Sequence, residues 1–198
     1  MRLPSTDHTS RPWRIHELTP DFQLEDVWAL PTPGGPDDFP RLVKLAVSLD
    51  PAQSSSPAVR ALFAIRWKLG ALLGWDDPEA GLGSRVTTLR DRLPADLRDL
   101  PAGPDFDPLP VTPLYLLEHE FAAETANRTM HGVMHLGWVP DEGGGYRGQM
   151  AVLVKRNGPL GTAYMAAIRP FRHQLVYPLA MREFGRRWQA SAGDPVQA

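Results

Sequence analysis

The chain has 198 residues, enough for one domain around a single buried core and too few for two full ones. Hydrophobic residues make up 42% and charged residues 22%, a balance that excludes wholesale disorder. The formal net charge of -2 removes the global electrostatic case for a nucleic-acid binder or a polybasic membrane adhesin. The absence of cysteine excludes disulfides, thiolate nucleophiles and sulfur-ligated metals.

Residues 1–12 are polar and lack the apolar run of a secretory signal, so they read as a flexible arm before a single domain over 13–190, with a flexible tail at 191–198. No stretch approaches the ~20 apolar residues of a membrane span, and the expected location is the cytoplasm. Trp13, Ile15 and Leu18 suggest a short extended segment. Thr19 and Pro20 then suit the start of a helix carrying Leu24, Val27 and Trp28 on one face. Residues 31–36 are Pro- and Gly-rich connection. Residues 38–49 fit either a helix, through Leu42, Leu45, Ala46 and Leu49, or a strand, and the helix is preferred. Ser56 before Pro57 predicts a helix whose apolar stripe runs through Ala58, Leu62, Ile65, Leu69 and Leu72 to a stop near Gly74.

Residues 76–113 are dominated by Pro, Gly and Asp, which suits either a lid or a wrap packed by Leu97, Leu100, Phe106 and Leu109. Strand patterns take over at Leu114–Leu117, while 121–126 fits either state. Residues 128–139 and 146–155 read as two strands of an antiparallel hairpin turning through Asp141-Glu142-Gly143-Gly144-Gly145. In the second strand Tyr146, Met150, Val152 and Val154 share one face and Arg147, Gln149 and Lys155 the other, which predicts one buried side. After Gly158 and Pro159, the apolar positions Ala163, Tyr164, Ala167, Ile168, Phe171 and Leu175 predict a helix kinked by Pro170 and Pro178.

His131 and His135 are the first candidates for chemistry. On a helix they would share one face at metal-ligand spacing. On a strand they stand roughly 13 Å apart, too far to share one ion, and the surrounding residues favour the strand, so no metal and no cofactor is expected. His119, with Tyr115 and Leu117, shares a face if 114–121 is extended, and Glu118, Glu120 and Glu124 are available as acid/base partners of these histidines. The plainer reading is a set of satisfied core or surface histidines. Arg169, Arg172 and His173 lie on one side of the terminal helix, where they suit either an anion or solvent. No nucleophile elbow and no nucleotide-binding glycine pattern occurs.

The run from Asn127 to Trp138, with Gly158-Pro159-Leu160-Gly161-Thr162-Ala163-Tyr164-Met165 and Ile168-Arg169-Pro170-Phe171-Arg172-His173, resembles an uncharacterised bacterial domain-of-unknown-function family. Asp26-Val27-Trp28 and Gly74-Trp75-Asp76 extend the likeness over nearly the whole chain. That family is grouped with the START-like (SRPBCC, polyketide cyclase-like) helix-grip proteins. The resemblance implies an α+β fold in which a curved antiparallel sheet packs on a long kinked C-terminal helix, with an apolar cavity between them.

Three functions are then in play. In the first, the domain binds a small hydrophobic or aromatic molecule against Met130, Met134, Trp138, Met150, Val152, Tyr164, Ile168 and Phe171, with His119, His131, His135 or Arg169 orienting its polar groups; methionine suits such a wall because its thioether adapts its shape. In the second, His131 or His135 is the general base of a cyclase- or hydratase-like enzyme. In the third, the chain is a protein-interaction module. The expected partner is a small hydrophobic molecule, with no nucleic acid and no membrane, on a monomer or homodimer.

Overall fold

The protein is described from a computed structural model covering residues 1–72, 74, 81–83, 86–107 and 109–191. Residues 1–12, read from sequence as an arm, lie along the sheet: the Leu3 N–H donates to Val27 O and the Ala29 N–H to Met1 O, both at 2.8 Å. Two single helical turns follow, α1 (Thr6–Thr9) and α2 (Ile15–Leu18), and then strand β1 (Gln23–Ala29). Helix α3 (Phe39–Val47) bears out the helical choice for that stretch. Helix α4 (Pro57–Leu72) starts where Ser56 predicts, with the Ser56 hydroxyl accepting from the Val59 N–H at 3.4 Å. A 3-10 turn at Leu89–Arg92 and the short α5 (Ala95–Arg98) precede the strands β2 (Thr112–Leu116), β3 (Glu120–Ala126), β4 (Met130–Pro140) and β5 (Tyr146–Arg156). The chain closes with α6 (Gly158–Phe171), a π turn (Arg172–Val176) and α7 (Tyr177–Ser191), so nearly all of the tail at 191–198 lies outside the described residues.

The five strands form one open antiparallel sheet in the order β1-β5-β4-β3-β2. Strands β2 to β5 are a meander. Its last hairpin turns on Asp141, whose Oδ1 accepts from the Gly143 N–H at 2.8 Å, and on Gly144, whose φ of +82° suits glycine.

Two expectations at the front of the chain are overturned. Residues 13–18 are not extended but close the turn α2, and residues 23–29 are a strand rather than a helix. In β1 a bulge between Leu24 and Asp26 resets the alternation. Leu24 and Val27 therefore fall on one face and Trp28 on the other, a pattern that mimics helical spacing in the bare sequence.

The sheet is covered on both faces, so the expectation of one buried side for β5 also fails. One core lies under α3 and α7 and contains Trp28, Phe121, Leu136, Trp138, Met181, Phe184 and Trp188. The other lies under the N-terminal turns and residues 89–97 and contains Ile15, Leu18, Leu89, Leu93, Leu97, Val133 and Leu153. The segment after α4 thus behaves as a wrap where it is described: Leu97 is buried, and Phe106 stacks on Phe121 with centroids 6.2 Å apart, although Leu100 stays exposed. In α4 the inward residues are Val59 and Phe63, while Ile65 of the predicted stripe is 54% exposed.

The terminal helix breaks where its prolines demand it. Pro170 has no N–H to give Ala166, and Pro178 none to give Gln174. The chain answers with the π turn, in which the Tyr177 N–H reaches back five residues to Arg172 O. Helix α6 starts hard against the turn between β3 and β4, because a Cβ on Gly161 would collide with Thr129 O. Gly161→Ala is therefore expected to destabilise the protein by at least ~2 kcal/mol in urea unfolding, as overpacking against fixed backbone does; an unchanged midpoint would show that α6 is not seated there.

Candidate functional site

Strand alternation decides where the candidate residues go. On β4, residues 130, 134 and 138 project to the α7 side, and residues 131 and 135 to the side covered by the N-terminal turns. The single wall expected to hold both Met134 and His135 is thus split between opposite faces of the sheet.

On the N-terminal side, β3 and β4 carry two matched carboxylate–imidazole pairs. The register sets Ala122 opposite His135 and Ala126 opposite His131, so each glutamate reaches the imidazole diagonal to it. His135 Nε2 lies 3.0 Å from Glu120 Oε1, and His131 Nε2 lies 2.7 Å from Glu124 Oε2. Each carboxylate also caps a turn of the layer above. Glu120 accepts from the backbone N–H groups of Arg14 and Ile15, both at 3.0 Å, and from the Tyr115 hydroxyl at 2.6 Å. Glu124 accepts from the Leu89 N–H at 3.1 Å and from the Thr88 hydroxyl, and Phe22 packs edge-on against His131. His119 joins neither pair: it is half exposed on the β2–β3 turn, beside Glu118.

A third imidazole completes the upper pair. His8 Nε2 lies 3.2 Å from His135 Nδ1, and Trp13 and His16 crowd the two rings. Burial, then the neighbouring His135 and His16, hold His8 down at about 3. Burial likewise lowers His135 against the pull of Glu120. Burial pushes the Glu120 carboxyl up, but hydrogen bonds from His135, Tyr115 and the Arg14 N–H outweigh it and hold the group below its ordinary value. The pattern is an ionised Glu120 beside two neutral imidazoles. With His135 Nε2–H donating to Glu120, Nδ1 is left as acceptor and His8 Nε2–H is the donor. Chemically this is a relay with no open end, since His135 is fully buried and His8 Nδ1 has no hydrogen-bond partner among the described residues.

On the opposite face lies a cavity of about 310 Å³ between the sheet and α7. Met134 and Met150 line it, with Ala123 and Leu136 from the sheet, Tyr177, Met181 and Phe184 from the terminal helix, and Val59 and Phe63 from α4. Trp138 does not reach it; its ring packs on Trp188 and its indole N–H donates to Gly35 O at 2.9 Å. Met130 and Val152 lie on the same face but outside the lining, Ile168 is half-buried elsewhere, and Phe171 points to solvent at 58% exposure. The side chains of Tyr164 and Arg169 lie outside the described residues. The missed lining residues Tyr177, Met181 and Phe184 continue to Trp188 at helical spacing, a readable stripe masked by Pro178.

Of the basic residues that suit either an anion or solvent, Arg172 and His173 are already engaged. Arg172 lies 2.7 Å and His173 2.6 Å from the buried Asp26 carboxylate, and Arg172 also reaches Glu25 at 3.5 Å. Burial first, and then the Asp26 carboxylate beside it, push the Tyr177 hydroxyl above its ordinary range.

Fold and site together define an α+β protein whose open five-stranded antiparallel sheet carries buried carboxylate–imidazole pairs on one face and a pocket with largely apolar lining on the other. The chain belongs to the family described as protein of unknown function (DUF2867), whose model matches residues 18–179. No curated protein and no solved structure matches it. Among the described residues no helix is long and apolar enough to cross a membrane.

The buried network makes stability pH-dependent. His8 and His135 protonate near 6.5 when unfolded but stay neutral to lower pH when folded. Unfolding therefore takes up protons below pH 6.5, and stability falls by up to ~1.4 kcal/mol per group for each pH unit. Glu120 acts in the same direction below its unfolded value of 4.5. Thermal melts are expected to move down steadily from pH 7 to pH 5, and His8→Phe to flatten that slope. Glu120→Gln is expected to cost ~3 kcal/mol at pH 7, because an amide cannot accept from all four donors at once.

Proposed function

We propose that this chain is a binding protein of the START-like, helix-grip kind that holds a small hydrophobic molecule between its sheet and its C-terminal helix. The observation that supports the reading is the cavity between β3, β4, β5 and α7, whose walls are almost wholly apolar and include three methionines, Met134, Met150 and Met181. Its volume of about 310 Å³ is at the low end of the ~300–1,000 Å³ common for small-molecule sites. Lining residues come from the 46–54 segment, α4, the 106–111 segment, the sheet and the terminal helix, so the hollow is a property of the whole fold. The enzyme reading with His131 or His135 as general base is less well supported, because both imidazoles are buried on the far side of the sheet and already bonded to carboxylates.

The neutral probe N-phenyl-1-naphthylamine tests the reading. Its fluorescence is expected to rise saturably with the wild-type protein, and Met134→Trp, which fills the hollow with a larger side chain, is expected to weaken the uptake about tenfold or more while leaving the circular dichroism intact. No uptake by the wild type, or equal uptake by a folded Met134→Trp variant, would sink the proposal.

A further inference from the structure

The cavity's few polar groups restrict what kind of molecule fits. Among the described residues five polar side chains line it: Asp50, Ser54, Thr125, Tyr177 and Glu183. Every hydroxyl among them is already donating or turned away. Ser54 donates to Glu183 Oε2 at 2.6 Å, Thr125 donates to Pro110 O at 2.7 Å, and the Tyr177 hydroxyl is directed at Asp26. The nearby backbone donors are taken as well, with the Ala52 N–H on Asp50 Oδ1 at 2.8 Å and the Ser55 N–H on Glu183 Oε2 at 3.2 Å.

The acceptors are in a different position. Each carboxylate has about four lone-pair sites. Asp50 receives the Ala52 N–H and the Gln53 amide and keeps acceptor capacity, whereas Glu183 is filled by the Ser54 hydroxyl, the Ser55 N–H and hydroxyl and, at 3.0 Å on Oε1, Arg187. Among the described residues no lysine, arginine or histidine lines the hollow. A ligand that donates a hydrogen bond therefore finds a partner, whereas an anionic head finds like charge and no free side-chain donor.

Resting on the binding role argued above, we infer that the cavity selects apolar molecules with a hydrogen-bond-donating head, an alcohol or an amine, and rejects carboxylates of the same length. The acceptor Asp50 is the specificity-determining residue.

Displacement of N-phenyl-1-naphthylamine by decan-1-ol, decylamine and decanoate at pH 8 tests the selection with one chain length and three heads. The alcohol and the amine are expected to displace the probe at concentrations about tenfold or more below decanoate, since a site built to accept hydrogen bonds penalises a partner that cannot donate. Asp50→Asn replaces an acceptor by an amide donor and is expected to narrow that gap several-fold. Decanoate binding as well as the alcohol, or an unchanged gap in a folded Asp50→Asn protein, overturns the head-group selection while leaving the cavity in use. Probe uptake absent from the outset overturns the binding role itself and this inference with it.

Discussion

Two buried carboxylates hold this architecture together. Glu120 and Glu124 lie on the interior face of β3, where an unpaired ionised group is costly to bury, and each is satisfied by an imidazole of β4 and by backbone N–H groups of a covering segment. The same oxygen atoms therefore fasten two different chain regions, residues 14–15 and residues 88–89, to the sheet. Without them, the short turn α2 and the 3-10 turn at Leu89–Arg92 would leave orphan N–H groups facing apolar core.

That fastening gives the two faces different characters. The N-terminal face is closed by hydrogen bonds with fixed directions and by the packing of Ile15, Leu18, Leu89 and Leu93. The other face is covered by α3, α7 and part of α4, elements held mainly by non-directional apolar contact. A hollow forms where Met134, Met150, Met181 and Phe63 meet without filling the space between them. The π turn contributes to this geometry, since it links α6 to α7 at the level of Val176 and Tyr177, which line the cavity, and ties that corner to β1 through Arg172, His173 and Asp26.

Much of the second half was legible beforehand. The hairpin of β4 and β5, its Asp141 turn and the proline-broken terminal helix follow from local rules, and Glu120 and Glu124 were among the three glutamates available to the strand histidines, with nothing local to separate them from Glu118. Strand period alone also separates Met134 from His135, so their assignment to one wall contradicted information already in the chain. The early helix assignment for residues 23–29 failed for a subtler reason: a bulge inside β1 imitates helical spacing, and nothing local distinguishes the two.

The sequence by itself determined those features that depend on neighbours along the chain: the capped start of α4 at Ser56, the glycine turn at 143–145, the break between Pro170 and Pro178, and the alternation of β4. Tertiary structure alone decided the features set by residues far apart in sequence. Pairing of β1 with β5 across more than a hundred residues, the seating of His8 on His135, and the meeting of Phe63, Met134 and Met181 around a common space belong to that class. The physical reason is that hydrogen bonding and steric rules act over a few residues, while burial is shared among whichever surfaces the finished fold brings into contact.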